Sequence, residues 1–342
     1  MAQRPTLRDV SEAVGVSVYT ASRALAGKSG VAAETRDRVR QTAERLGYVR
    51  NGVAAGLRTR LSHAVGVLTA SGRNQYYSML VQAIDGALQP EGYFAVTNDA
   101  IKDGRHTPER EMASVRALLE QRPSAIVATY SLRDDSIAEI DRFGVPIVFV
   151  DSLPPAGHDD RPFIGTDNRQ ASRLVADHLG RLGHRRAWVV AFPDTWTTHG
   201  PRVDGFVQQA AGWGMATAVV DSENDPDSAC RAVLRALDAA GPDGAPDALY
   251  TLNTLLLQGT FRALRERGLR VGQDLSLVGF DDFDWAPLLD PPLTVVDQDI
   301  EEIGNRAGRL TLELIHGSRP RDTRVELPAV LVERDSCRPR PV

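Results

Sequence analysis

The sequence predicts an α/β protein in three parts: a three-helix helix-turn-helix head, a short capped helical segment, and two doubly wound α/β lobes. Three observations predict it. The first sixty residues are helix-patterned and basic, with 11 Lys+Arg against 5 Asp+Glu. The rest of the chain is acidic, with 29 basic against 40 acidic side chains. That acidic body alternates strand-like and helix-like runs, and the alternation restarts after Phe163-Ile164-Gly165-Thr166-Asp167.

The head comes first in the chain. Thr6-Leu7-Arg8-Asp9 reads as a capping box, with Asp9 in place of the usual Glu. Val10 and Ala13 follow on one apolar face. Gly15 supplies the positive φ of a tight turn, and Ser17 caps a second helix, Val18 to Leu25, with Ala21 and Leu25 inward. A third helix runs from about Glu34 to Leu46, with Val39, Thr42, Ala43 and Leu46 on one face and Gly47 as its stop. On the second helix, Val18, Tyr19 and Arg23 fall opposite the packed side, where base edges are met in a major groove. Thr20 and Ser22 are placed to donate to phosphates. The alternative is an ordinary three-helix cap with solvated charges. Lys28-Ser29 is not a phosphate loop, because the glycine such a loop needs is Ser22 and no strand precedes it. Asn51 then caps one or two turns of helix within 51–59, too short and too glycine-containing to be stable alone.

A basic head on an acidic body points to a polyanion partner for the head only. Apart from Lys28 and Lys102, every basic side chain is arginine, which suits bidentate phosphate or guanine contacts; a GC-rich genome gives the same bias. The 342 residues, 42% hydrophobic and 25% charged, suit two globular domains with a small third module. No run approaches 18 apolar residues, so no membrane span is expected. MAQRPTLRDV has no apolar stretch of the secretory kind, which predicts a cytoplasmic protein. Cys230 and Cys337 form neither a disulfide framework nor a zinc spacing, and read as inert small side chains.

The combination DV-x-x-x-x-GVS-x-x-T-x-SR, the LGY at 46–48 and N-x-x-A-x-x-L at 51–57 closely resembles the DNA-binding head of the lactose-repressor (LacI/GalR) family of bacterial regulators. The resemblance covers the whole head. It implies that 51–62 is a hinge and linker whose helix forms on DNA, with Leu57 wedged into the minor groove at the operator centre. An apolar wedge of this kind opens a base step and kinks the duplex. The expected DNA-contacting set is Thr6, Ser17, Val18, Tyr19, Thr20, Ser22, Arg23, Asn51, Ala54, Leu57 and Arg58. Val14 departs from the family's usual alanine and is expected to tilt the two helices slightly.

In the body, strands are expected at 63–69, 94–97, 125–129, 146–150, 186–191, 216–220, 247–252 and 275–279. Helices are expected at 78–89, 107–121, 134–143, 168–182, near 202–213, and at 226–240 and 255–267. Ligands in such sheets bind beyond the carboxyl ends of the strands. Asp151 and Asn253 end strands, and Asp281 follows Val278-Gly279-Phe280. The DHLGRLGHRR run at 177–186, Asn253, VGFDD at 278–282 and PPLTVVDQD at 291–299 resemble the periplasmic-binding-protein-like core of the same family. The resemblance implies three chain crossings between lobes, expected near 165, 295 and 326. Expected boundaries are therefore 1–50 for the head and 63–342 for the core. Lobe 1 is about 63–165 and 296–326, and lobe 2 about 166–295 and 327–342.

The resemblance also adds Arg202, before the R-x-x-G-F helix, and implies that these strand-end residues bind a small effector, a sugar or sugar derivative. Asp and Asn suit vicinal hydroxyls, and Arg offers a planar fork. The expected effector set is Tyr76, Tyr77, Asp151, Trp196, Arg202, Asn253, Asp281 and Trp285, with Phe283 as a further aromatic. Each polar member reads otherwise as a helix cap or a lobe–lobe bond, each aromatic as core. Thr254 stands where the family usually has aspartate. No metal, cofactor or catalytic residue is expected: the seven histidines lack i, i+4 pairing, and Asp281, Asp282 and Asp284 have no nucleophile beside them.

The reading is a repressor that binds a palindromic DNA operator as a homodimer under effector control, cytoplasmic and nucleoid-associated when bound to its operator. The lobe carrying 78–89 is where the family dimerises. The tail LPAVLVERDSCRPRPV has no heptads, so no tail-driven tetramer is expected. The rivals are the sugar-binding protein of a transport system and a cytoplasmic sugar-modifying enzyme. Fractionation discriminates the first and turnover assays the second.

Overall fold

The computed structural model describes residues 5–25, 27, 29–48, 62–70, 74–100, 106–318, 320 and 322–340. The expected hinge residues Asn51, Ala54, Leu57 and Arg58 lie outside them. The chain divides into two units, Met1–Ser62 and His63–Val342.

In the first unit, Thr6 opens α1 (Leu7–Val14) with the expected capping box. Its hydroxyl accepts from the Asp9 amide at 3.3 Å, and the Asp9 carboxylate accepts from the Thr6 amide at 2.6 Å. Caps of this kind contribute about 1 kcal/mol. Gly15, at φ 76°, closes α1 in the left-handed region. Ser17 starts α2 (Val18–Leu25) by accepting from the Thr20 amide at 3.0 Å. With α3 (Ala33–Leu46) these helices enclose Val10, Val14, Ala21, Ala24, Val39 and Ala43. Ala13, expected inside, is exposed, and Val14 takes the inner place four residues after Val10. Leu46, also expected inside, is 38% exposed. The Arg38 guanidinium donates to the Val14 carbonyl at 2.9 Å, setting a cation on the carboxyl end of α1.

The second unit holds two six-stranded sheets of the same strand order. The first contains β1 (Ala64–Thr69), β2 (Phe94–Asp99), β3 (Ala125–Ala128), β4 (Ile147–Val150), β5 (Phe163–Thr166) and β11 (Arg324–Leu327), in the order β11-β5-β4-β3-β1-β2. The second contains β6 (Arg186–Ala191), β7 (Ala216–Asp221), β8 (Ala248–Thr251), β9 (Ser276–Phe280), β10 (Thr294–Asp297) and β12 (Val330–Val332), in the order β12-β10-β9-β8-β6-β7. All pairings are parallel except β10 with β12. Central strands such as AVGVLT and IVFV are buried throughout, as parallel strands covered on both faces must be.

Helices α4 (Gln75–Leu88), α5 (Pro108–Glu120), α6 (Asp134–Arg142) and α11 (Ile300–Ile315) belong to the first sheet. Helices α7 (Asn168–Arg181), α8 (His199–Gly212), α9 (Pro226–Gly244) and α10 (Thr254–Glu266) belong to the second. The sequence pattern predicts no element at β5, β10, α11, β11 or β12. Helices α4 and α8 each begin three residues before the expected 78 and 202, α4 behind an Asn74 cap. The chain passes between sheets at 167, 298–299 and 328–329, slightly after the expected 165, 295 and 326. Strand β10 thus joins the second sheet before the chain returns to build α11 and β11 on the first, and β12 closes the second sheet last.

The pair α4–α11 is closely packed. A Cβ placed on Gly304 would lie 2.4 Å from the Ala83 Cβ, and one on Gly308 2.6 Å from the Ala87 Cβ. These glycines, one turn apart, let the two backbones approach.

Candidate functional site

In the head, α2 presents Val18 (45% exposed) and Tyr19 (62% exposed) to solvent. The Arg23 guanidinium lies 5.7 Å from the Tyr19 ring centroid and donates to the Tyr19 hydroxyl at 3.2 Å. It also donates to the Ser29 carbonyl. Tyr19 and Arg23, one helical turn apart, therefore form one exposed ridge with the arginine already oriented. Thr20 is half-buried, its hydroxyl 2.8 Å from that of Ser17. The Thr6 hydroxyl is held by Asp9 at 2.8 Å. Ser22, expected to donate to a phosphate, is 9% exposed, on the packed side with Ala21 and Ala24.

In the core, the carboxyl ends of both sheets converge on a cleft. Lobe 1 contributes Asn74, Tyr76, Tyr77 and Asp151; lobe 2 contributes Phe192, Trp196, Thr198, Arg202, Asn224, Asn253 and Asp281; Gln298 enters from a crossing. The cavity holds about 350 Å³ of empty space, of which about 30 Å³ is open to the centre of a water molecule. That is room for about two waters. A sugar enters only if the lobes part.

Asp151 and Asp281 occupy equivalent places. Each follows the third strand from the β11 or β12 edge of its sheet, β4 or β9. Each has a left-handed backbone, φ 66° and φ 77°. The Asp151 amide donates to Ile164 and the Asp281 amide to Val296, both at 2.9 Å, tying each turn to the neighbouring strand. Aspartate tolerates this conformation better than most side chains, and the residual strain is held by those bonds.

Arg202, 4% exposed, lies between the two acids. Its Nε donates to Asn168 Oδ1 at 2.6 Å and its Nη1 to the Leu252 carbonyl at 2.5 Å. Its plane stacks 3.6 Å from the Phe280 ring centroid. Its Nη2 faces Asp151 Oδ1 at 4.0 Å. The Tyr77 hydroxyl donates to Asp151 Oδ2 at 3.4 Å. Asp151 Oδ1 and the Tyr76 hydroxyl are buried without a hydrogen-bond partner. Asn253 is half a cap and half a cleft residue: its Oδ1 accepts from the Leu256 amide at 3.0 Å, and its Nδ2 donates to Asn224 Oδ1 at 2.8 Å. Thr254 donates to Asp281 Oδ2 at 3.3 Å. Gln298 donates to Asp281 Oδ1, and its own Oε1 accepts from the Thr166 hydroxyl at 2.6 Å. A polar chain thus runs from lobe 1 through a crossing into lobe 2.

Burial pushes the Asp281 carboxyl from 3.8 up to about 6, against the pull of Arg202 and Gln298. Burial also raises Asp151, again opposed by Arg202. Because the folded Asp281 holds its proton to higher pH than the unfolded chain, protonated Asp281 contributes stability that is complete below about pH 4 and lost as pH rises through about 6. Asp281→Asn keeps the acceptor for Gln298 and removes the buried charge. It is expected to raise stability at pH 7.5 by up to about 3 kcal/mol, and to flatten the pH dependence between 4 and 7. Urea unfolding across that range checks this; a variant less stable than the parent at pH 7.5 would sink it.

Of the expected aromatics, Tyr76, Tyr77 and Trp196 line the cavity. Trp285 does not. Its ring stacks on Phe283 at 5.6 Å and its Nε1 donates to Gln75 Oε1 at 3.0 Å, bridging the lobes at the rim. Phe283, from a lobe 2 loop, is buried in the lobe 1 core. A second lobe–lobe contact joins the Ser152 and Thr197 hydroxyls at 2.8 Å. Asn74, Phe192, Thr198, Asn224 and Gln298 were not expected. Gln298 alone carried a signal, lying within the run PPLTVVDQD.

Ser276, His184 and Asp247 form a Ser-His-Asp arrangement, with Nε2 to Oγ at 2.9 Å and Nδ1 to Asp247 Oδ1 at 3.5 Å. It sits where β6, β8 and β9 begin, away from the cleft. Ser276 is 3% exposed and its hydroxyl accepts from the Arg338 amide at 3.2 Å. The group pins the tail to lobe 2, and no substrate carbonyl can reach the serine.

Among the described residues, no helix is long and apolar enough to cross a membrane. The chain matches the model for bacterial regulatory proteins of the lacI family over residues 6–51, and that for a periplasmic binding protein-like domain over 176–337. It is 32% identical to the transcriptional regulator MalR of Streptomyces coelicolor, covering 95% of both chains. It is also 32% identical to the lactose operon repressor of Escherichia coli, covering 96% of this chain and 89% of that one. Among solved structures it is similar to a lac repressor dimer bound to operator and the anti-inducer ONPF, with TM-score 0.82 and 28% identity over 98% of this chain and 99% of that one. It is similar to a CelR–cellobiose complex as well, with TM-score 0.72 and 27% identity over 98% and 100%.

Proposed function

Because the chain belongs to the lacI family of bacterial regulatory proteins, and is therefore a DNA-binding transcriptional regulator, we propose that it is a cytoplasmic repressor whose operator binding is controlled by a sugar-like effector held between its lobes. The observation that carries the effector part is the cleft, where Asp151 and Asp281 face one buried arginine with an acceptor and a hydroxyl left unpartnered. The protein acts as a homodimer on a palindrome, because one helix-turn-helix reads only a few base pairs. On DNA it is nucleoid-associated.

The residues take these roles. Val18, Tyr19 and Arg23 read base edges, Ser17 and Thr20 meet phosphates, and Thr6 holds α1 and its amide end toward the backbone. Asn51, Ala54, Leu57 and Arg58 form the hinge contacts. In the cleft, Asp151, Asn253 and Asp281 bind hydroxyls, Arg202 orients both acids, and Tyr76, Tyr77 and Trp196 shape the walls. The effector shifts the protein only by its different affinity for two lobe arrangements. A coupling of about 1–3 kcal/mol changes DNA affinity about 5–150-fold. Binding of promoter DNA from genes beside its own, measured with and without added sugars, tests the reading. A DNA affinity that no sugar changes would overturn effector control.

Arg23→Ala is expected to weaken operator binding by about 1–3 kcal/mol and binding to random DNA by much less. Equal losses on both DNAs, measured by fluorescence anisotropy at fixed salt, would move Arg23 to the phosphate backbone. Tyr19→Phe removes only the hydroxyl that accepts from Arg23 and should give a smaller loss of the same kind.

A further inference from the structure

We propose that the cleft selects an uncharged polyhydroxy effector and refuses phosphorylated and acidic sugars. The inference rests on the reading of the cleft as the effector site, and four observations carry it.

The charged groups of the cavity wall are Asp151, Asp281 and Arg202, two acids to one base. The base is engaged already. A free two-pronged edge of the guanidinium grips an anion best, and here each edge has a nitrogen already used: Nε serves Asn168 and Nη1 serves the Leu252 carbonyl, while Nη2 makes no hydrogen bond and faces Asp151 at 4.0 Å. The helix N-termini at the cleft are closed to anions as well. Asn74 caps α4 by accepting from the Tyr76 amide at 3.1 Å, and Asn253 caps α10 by accepting from the Leu256 amide at 3.0 Å. Helix α8 carries Pro201, which has no amide hydrogen, in its first turn. Finally, the unpartnered groups ask for a hydroxyl. Asp151 Oδ1 needs a donor, and the Tyr76 hydroxyl needs a partner of either kind. A ligand hydroxyl placed against Asp151 Oδ1 has a hydrogen to give it, whereas an ionised carboxylate or phosphate group placed there has none.

The test uses the full chain at pH 7.5 and matched sets of probes. One set is glucose, glucose 6-phosphate, gluconate and glucosamine, with equivalent sets for galactose, ribose, xylose and cellobiose. Calorimetry and melting temperature give the affinities. The expected result is that a neutral sugar binds and that its phosphate and acid forms bind at least about 100-fold more weakly. An anionic probe that binds as tightly as its neutral parent overturns the charge rule and leaves the cleft standing as an effector site. A panel in which nothing binds overturns the sugar reading itself, and this inference with it. Asp151→Asn should narrow the neutral-to-anionic ratio at least tenfold, with Asp281→Asn as the substitute if the first variant fails to fold. A ratio unchanged in a folded variant would show that these carboxylates do not set it.

Discussion

Arg202→Ala is expected to lose the effector response entirely and to cost about 3–5 kcal/mol of stability at pH 7.5, because it leaves buried carboxylates without their cation. The arginine touches Asn168, the Leu252 carbonyl and the Phe280 ring, and faces Asp151. Its loss therefore removes a charge, two hydrogen bonds and a stacked plane together. The deficit should shrink as pH falls. Burial already pushes Asp281 up to about 6, and without Arg202 both acids will hold protons to still higher pH, which relieves the repulsion. Urea unfolding at pH 7.5 and pH 5 measures both parts. A loss under about 1 kcal/mol, or one of equal size at both pH values, would show that Arg202 does not neutralise the cleft. Effector-free DNA binding should stay near parental at temperatures where the variant is folded.

The second large effect is in packing. Gly304→Val is expected to destabilise by about 3 kcal/mol or more, since overpacking of a close-packed interior costs about 1–3 kcal/mol even where neighbours can yield. Here they cannot. The first atom added would sit 2.4 Å from Ala83 Cβ and 3.1 Å from the Ile84 amide nitrogen and Leu80 carbonyl. Backbone stands behind both contacts, so α4 and α11 must separate. Gly212→Ala is the control, because nothing lies within 4 Å of its added carbon at the end of α8. It should be neutral or stabilise by up to about 1 kcal/mol. Thermal unfolding of the pair decides the matter; Gly304→Val within 1 kcal/mol of the parent would mean the helices do not touch here.

Much of this architecture was legible in the sequence, and the failures have physical causes. Apolar runs such as Val65–Leu68 and Ile147–Val150 read as buried strands because parallel strands covered on both faces have no other composition. Asp151, Asn253 and Asp281 were legible because strand ends are where α/β sheets meet ligands. Helix α11 was passed over although Ile300, Ile303, Ala307 and Leu310 keep a helical period behind the Asp299 cap. Its period could be read locally, but the glycine contact with α4 could not. Gln298, Asn224 and Thr198 come to the cleft through crossings and turns, whose geometry no local pattern records. Trp285 misled because nearness in sequence to Asp281 is not nearness in space: the turn throws its ring onto Phe283 at the rim. Ser22 shares the packed side of α2 with Ala21 and Ala24, and a small polar side chain gives no sign of that burial in the sequence.

The paired left-handed turns at Asp151 and Asp281 have a consequence for how such a regulator changes its diet. Positive φ angles of 66° and 77° restrict both positions to a short menu of side chains. Asparagine is on that menu beside aspartate and differs from it by one charge at nearly constant shape. Each position is thus a two-setting dial that turns without moving the backbone. With both set to aspartate the cavity wall carries two acids against Arg202; one asparagine balances it, and two leave it positive. Single-base changes in the Asp151 and Asp281 codons, from GAY to AAY, are enough to turn either dial. A lineage holding this scaffold can therefore shift the charge of its cleft by one or two units in one or two steps, with the DNA-reading head untouched.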